Sequence, residues 1–165
     1  MTVSGPNGKV LKKRRGSPRG KRTMARELVL QALYQHSLGG DHVHFIIEQW
    51  RLDPEVRGAD FAYFEQLFRG IIIQIDELDG WIEKTSSNWP LDRVSIVDRN
   101  VLRIGIYELL MVASVPTKVV INEGVELSKR FGGENSGRFI NGILDELAKV
   151  ISDSYEVGSR PLSNE

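Results

Sequence analysis

Apolar side chains recur at steps of three and four from residue 23 to about residue 151, the spacing that lines one face of an α-helix. Met24, Leu28 and Ala32 form one stripe, and Leu30, Leu33, Tyr34 and Leu38 form an adjoining one. The first predicted helix is therefore apolar over most of its girth until Gly39-Gly40 stops it. A shorter helix follows from Val43 to Leu52, closed by Asp53-Pro54, and then a long one from about Ala59 to Thr85. Ser86-Ser87-Asn88-Trp89-Pro90 reads as an internal seam, because polar turn formers there precede a proline. Beyond it, Ser95-Ile96-Val97-Asp98 has the form of a capping box before the apolar run Val101 to Met111. Thr117 is placed to cap the next helix, which ends at Gly132-Gly133, and Asn135 or Ser136 to cap the last, whose stripe runs from Ile140 to Ile151. No segment alternates with period two over a strand's length. The pattern predicts an all-α body over residues 23–151, most simply two small packed bundles, about 23–88 and 89–151.

The 165 residues carry 22 Lys+Arg and 22 Asp+Glu, but the balance is unevenly spread. Residues 1–26 hold nine basic side chains and no acid, which leaves 13 basic against 22 acidic over residues 27–165. A charge asymmetry of this size suggests a basic arm for nucleic acid, or less often for a membrane surface, attached to an acidic body. The competing reading of the arm is a solubilising tail without a partner. Residues 1–22 have almost nothing to bury and are expected to be disordered, and residues 152–165 to form a flexible tail. No apolar run reaches the roughly 18 residues needed to span a bilayer. The start lacks the apolar core of a secretory signal, so the arm is expected to stay on the chain.

There are no cysteines, which removes disulfides, thiolate metal sites and thiol nucleophiles together and agrees with a reducing compartment. His42-Val43-His44 is too tightly spaced to put two ligands on one helix face, so no metal or other cofactor is expected. Asp76 and Asp79 read as a solvated face rather than a catalytic pair. No enzyme emerges, and what remains is binding chemistry. Phe139 is the stronger of two aromatic candidates: it falls in the first turn of a helix beside Ser136 and Arg138, a combination of ring, hydroxyl and cation that suits a nucleotide. Tyr34, two turns beyond Arg26, is the other, although periodicity alone places either ring in a core.

Four blocks in order, Ala25 to Tyr34, Val101 to Leu109, Val115 to Glu123 and Phe139 to Asp145, resemble the NusB family of bacterial transcription antitermination factors over about residues 22–150. The resemblance implies about seven helices in two three-helix bundles. It also implies a cytoplasmic protein that pairs with NusE, a small-subunit ribosomal protein. Together they would bind the single-stranded boxA element of nascent ribosomal RNA, with RNA polymerase and other Nus factors, and promote antitermination and rRNA maturation. By position, Arg19, Lys21, Arg22 and Arg26 would contact phosphates, Tyr34 and Phe139 would face RNA, and Asn135, Ser136 and Arg138 would flank them. Asp92 and Asp98 would face NusE, although Asp98 has a competing task in the capping box.

Three departures from the family pattern stand out. Thr23 and Met24 interrupt the arginine-rich start, Asn135 replaces a frequent aspartate and so favours an anionic ligand, and Gly105 and Gly124 replace alanines inside helices. Each of those glycines gives up as much as about 1 kcal/mol of helix propensity, for which tight packing is one reason. Asn122 and Asn141-Gly142 read as structural, with Asn122 satisfying a buried backbone group and Gly142 allowing close helix approach. The alternatives are a protein-only helical adapter, a homodimer whose contact face hides the RNA surface, and the RNA-positioning module of a methyltransferase system. The last has neither a cofactor-binding domain nor a cysteine nucleophile within the 165 residues.

Overall fold

The computed structural model describes residues 2–4, 10–12, 19–86 and 90–156. Its body is all-helical: α1 (Lys21–Gly39), α2 (Val43–Arg51), α3 (Phe61–Ile73), α4 (Ile75–Thr85), α5 (Ile96–Met111), α6 (Thr117–Phe131) and α7 (Ser136–Glu156). The two helices with the most continuous burial, α1 and α5, lie against each other at the centre. Around them, α2 and α3 pack on α1, α4 packs on α5, and α6 and α7 pack on α5 and on one another. One apolar core runs through the body, including Leu30, Leu33, Phe64, Phe68, Leu102, Ile106, Leu127 and Leu144. No described helix is long and apolar enough to cross a membrane.

Several expectations change. The single helix expected from about Ala59 to Thr85 is two, parted at Gln74, whose φ of −105° and ψ of 17° leave the helical region. A straight helix of that length would be a rod of about 40 Å. The break instead lets α3 lie on α1 and α5 while α4 turns to α5 and α7. The apolar stripe keeps its phase across the break, with Ile71 and Leu78 both buried, so periodicity carries no trace of it. Within the arm expected to be disordered, Thr2–Ser4 (β1) pairs antiparallel with Val10–Lys12 (β2), with Val3 opposite Leu11. At the other end, α7 continues five residues past Ile151, into the segment read as tail. α1 begins at Lys21, inside the segment expected to be disordered. Residues 1, 5–9, 13–18 and 157–165, and the seam at 87–89, lie outside the described residues.

Ser95 does cap α5, accepting the Asp98 N–H at 3.1 Å. Thr117 does not cap α6; the cap position is Pro116, whose carbonyl accepts from Val119 and Val120. Asn122 is exposed, so it has no buried group to satisfy. Of the glycines, Gly142 departs from expectation, while Gly105 and Gly124 are tightly packed. A Cβ on Gly142 would meet nothing within 4 Å, whereas one on Gly105 or Gly124 would come within 2.7 Å of a Leu144 methyl. Leu144 of α7 is therefore a wedge seated against two bare backbones, which is how α5, α6 and α7 come together.

Gly124→Ala should be destabilising by up to about 2 kcal/mol, since overpacking costs about 1–3 kcal/mol against a propensity gain of about 1 kcal/mol. Gly142→Ala should stabilise by about 0.5–1 kcal/mol. Urea denaturation of both variants checks the pair, and equal effects in the two would contradict the wedge.

Candidate nucleic-acid interface

The first turns of α1 carry two exposed cations, Lys21 and Arg22, and one that is buried, Arg26. Arg26 is 3% exposed, and its Nε and Nη2 each donate at 2.8 Å to the two carboxylate oxygens of Glu108 on α5. Glu123 of α6 lies 3.6 Å from Nη1 and also accepts from the Thr23 hydroxyl at 2.7 Å. Tyr63 of α3 donates its hydroxyl to Glu108 as well. Burial alone would lower the Arg26 pKa, but the hydrogen bond and charge of Glu108 outweigh it and raise it, so the guanidinium stays charged. Burial, then the charge of Glu108, holds the Tyr63 phenol far above its ordinary value, and it remains a donor. Arg26 is thus a core ion pair linking α1, α3, α5 and α6. Its expected role as a phosphate contact fails because no face of the guanidinium is left to solvent.

The remaining basic positions stay at the surface. Lys21 and Arg22 are exposed, with Arg22 4.2 Å over the Tyr63 ring and 4.0 Å from Asp60. Arg19 is half-buried, its Nε 2.8 Å from Glu27 Oε1; the same oxygen lies 3.1 Å from Nε of Arg130, in the last turn of α6. One buried carboxylate therefore gathers two cations from different ends of the chain and leaves the cluster net positive. Glu27, Gln31 and Tyr34 fall on one stripe of α1 by their spacing, which puts the half-buried Tyr34 ring along the same face. Neither Glu27 nor Arg130 was singled out from the sequence. An acid within a helix that is apolar all round was the available signal, because a buried charge requires a partner.

The second group lies where α6 turns into α7. Ser136 is 7% exposed; its hydroxyl accepts the Gly133 N–H at 3.0 Å and donates to Asp98 Oδ2 at 3.1 Å. Ser136 therefore holds the loop. Asp98 is half-buried, with the Ser136 hydroxyl on one of its oxygens. Burial raises the Asp98 pKa, opposed by hydrogen bonds from Ser136 and Ser95. Asp92, in the short 3-10 turn Leu91–Arg93 that leads to α5, is exposed.

A hollow of about 370 Å³ separates the starts of α5 and α7, with Arg93, Val94 and Asp98 on one wall and Asn135, Ser136 and Phe139 on the other. A second, of about 400 Å³, flanks the loop along α6, lined by Lys129, Glu134, Arg138 and Asn141. Asn135 and Arg138 are exposed and Phe139 is half-buried. The loop is a ridge between two open spaces, with an aromatic ring on one side and an arginine on the other. Among the described residues no group of His, Cys, Asp or Glu could hold a metal ion.

Residues 23–149 match the model of the NusB family. The chain belongs to the NusB family. A transcription antitermination protein NusB of Dehalococcoides mccartyi (strain ATCC BAA-2266 / KCTC 15142 / 195) is 40% identical over 133 residues, which cover 81% of this chain and 93% of that protein. One of Anaeromyxobacter sp. (strain Fw109-5) is 44% identical over 129 residues, 78% of this chain and 90% of the relative. Among solved structures, T. maritima NusB aligns with a TM-score of 0.69 at 37% identity, covering 82% of this chain and 93% of that one. A crystal structure of the antitermination factors NusB and NusE in complex with double-stranded RNA aligns with a TM-score of 0.64 at 28% identity, over 78% of this chain and 96% of that one. NusB proteins are transcription antitermination factors and not a family of enzymes.

Arg26→Met should lower stability by about 3–5 kcal/mol by leaving Glu108 charged and unpaired, and adding Glu108→Leu should restore part of the loss. Urea midpoints of the single and double variants test this. The Asp98 carboxyl, raised in the folded chain, favours folding below its unfolded value of about 3.9, and that advantage is lost as pH rises through the folded value. Asp98→Asn should therefore melt above the parent near neutral pH, with the gap closing below about pH 4. Thermal melts across that range decide it.

Proposed function

We propose that this chain acts in the bacterial cytoplasm as an antitermination factor that binds single-stranded boxA-type RNA of nascent ribosomal transcripts together with NusE. The observation that carries the reading is Phe139, half-buried on one wall of the 370 Å³ hollow with exposed Asn135 beside it and Arg93 opposite. A ring at the edge of an open space, flanked by a side-chain amide and cations, is suited to stacking a base while holding its phosphate. Lys21 and Arg22 at the start of α1, and Arg19 held near Arg130, extend the positive path, with Tyr34 as a second stacking surface. The NusB and NusE assembly on RNA in a relative of the same fold supports the same pairing here. Asp92 on its exposed turn, and the acidic balance of residues 27–165, suit a basic ribosomal protein. This complex would join RNA polymerase with other Nus factors and contribute to rRNA maturation.

The test is fluorescence anisotropy with a short boxA-type RNA and a scrambled RNA of equal composition, with and without NusE, at two salt concentrations. The parent should prefer boxA, more sharply with NusE. Phe139→Ala should weaken binding by about 1–3 kcal/mol. Replacing both Lys21 and Arg22 by Ala should reduce the salt slope by about 1.4. Asn135→Asp should weaken RNA binding by returning a negative charge to the phosphate path, and Asp92→Lys should weaken NusE binding alone. Equal affinity for the two RNAs under every condition would overturn the reading and leave a protein-only adapter.

A further inference from the structure

We propose that Arg19 and Arg130, seated together on the buried carboxylate of Glu27, form one phosphate-binding site for the RNA backbone, and that Glu27, although an acid, is the positioning residue that builds it. The inference rests on the functional reading above and adds to it where the backbone crosses from the Tyr34 face to the Phe139 ridge, and what holds that crossing together. Thr23 and Arg26, the α1 residues that meet α6, are taken up by Glu123 and Glu108. Arg19, before α1, and Arg130, in the last turn of α6, instead converge on one oxygen, Glu27 Oε1, at 2.8 and 3.1 Å. Arg130 comes two residues before Gly132, where the chain leaves α6 for the loop that bears Asn135 and leads to Phe139. Tyr34 stands two turns along α1 from Glu27, about 10 Å by helix rise.

The charges explain why this pair awaits an anion. Glu27 is 2% exposed, and a carboxylate so deeply buried has to be met by cations. Two guanidiniums on one carboxylate oxygen also repel one another and leave an excess of positive charge. The Arg19 and Arg130 side chains are 22% and 12% exposed, so the pair is open to solvent while its seat is not. Each meets Glu27 through Nε, and the terminal amino groups of a guanidinium form a fork matched to the oxygens of a phosphate. A bound phosphate supplies the second anion and relieves the repulsion. Without Glu27 the two long side chains lose their common seat and regain the rotamer freedom that a phosphate would then have to take from them.

The experiment titrates the full chain and its variants with a boxA-type RNA and the scrambled RNA by fluorescence anisotropy at two salt concentrations, and records NusE affinity and a thermal melt for each. Removing an acid from a surface that binds RNA ordinarily tightens binding. Glu27→Gln should instead weaken it about fivefold, with a lower salt slope and NusE affinity within about twofold of the parent. The loss should be equal for the two RNAs, because a phosphate contact carries no sequence information. Arg130→Gln should weaken both RNAs by a similar factor and lower the salt slope by about 0.7. In a chain carrying Arg19→Gln and Arg130→Gln, adding Glu27→Gln should bring no further loss. Asp60→Asn, which removes the acid beside Arg22 and keeps a cap on α3, should bind RNA as tightly as the parent or more tightly. RNA binding by Glu27→Gln that equals or exceeds the parent's overturns the positioning role, and an unchanged salt slope in Arg130→Gln overturns the phosphate site. Arg130→Gln carries the test alone if Glu27→Gln does not fold. A parent that still prefers boxA in the face of those results leaves the functional reading standing; a parent that binds neither RNA removes both.

Discussion

The buried contact between Arg26 and Glu108 sets the terms for the rest of the molecule. Taking a guanidinium and a carboxylate out of water costs several kcal/mol per ion, and that cost is offset only in one geometry. Here the geometry is bidentate, with Tyr63 and Glu123 occupying the neighbouring positions. A slip or rotation of α1 over α5 would retain most of the apolar contact between two helices that are greasy all round. It would also strand both charges in the core. The polar cluster thus supplies the directionality that apolar packing lacks, and a similar arrangement recurs where Arg103 of α5 grips Asp79 of α4 with two hydrogen bonds of 2.7 Å. Asp79, which sequence alone places on a solvated face, is in that sense part of the scaffold.

Turning Arg26 inward decides what the surface can offer. The cationic face has to be assembled from groups on either side of it, and the means is a second carboxylate. Glu27, the next residue, faces a different direction and collects Arg19 from before α1 and Arg130 from the end of α6. Adjacent acid and base in the Ala25-Arg26-Glu27 block therefore serve two separate purposes. One locks the core and the other draws charge from distant parts of the chain towards the Tyr34 face.

The position of Phe139 has a different origin, in packing. Leu144 sits five residues along α7 from it and is wedged against Gly105 and Gly124. That wedge fixes how α7 lies on α5 and α6, and so where its first turn, with Arg138 and Phe139, emerges beside the loop. The starts of α5 and α7 are joined beside the hollow by the hydrogen bond between Ser136 and Asp98.

The sequence by itself determined the helical class, five of the seven helices, the cap at Ser95, the separation of charge and the family, because each is written in local spacing, in local charge or in contiguous blocks. What it could not express was direction. The break at Gln74 leaves the apolar stripe in phase, so only the need of α3 and α4 to meet different neighbours reveals it. Arg22 and Arg26 are the same residue type one turn apart, yet one is exposed and the other sealed. Gly124 and Gly142 are both helical glycines, yet only the first has a side chain closer than van der Waals contact to where a methyl would stand. Asp92 and Asp98 are both acids near the start of α5, yet the first is exposed and the second is half-buried against Ser136. In each pair the difference is made by a residue far away in the chain, Glu108, Leu144 or Ser136. A one-dimensional pattern records what a residue is and how it is spaced, but only the tertiary structure decides what stands opposite it.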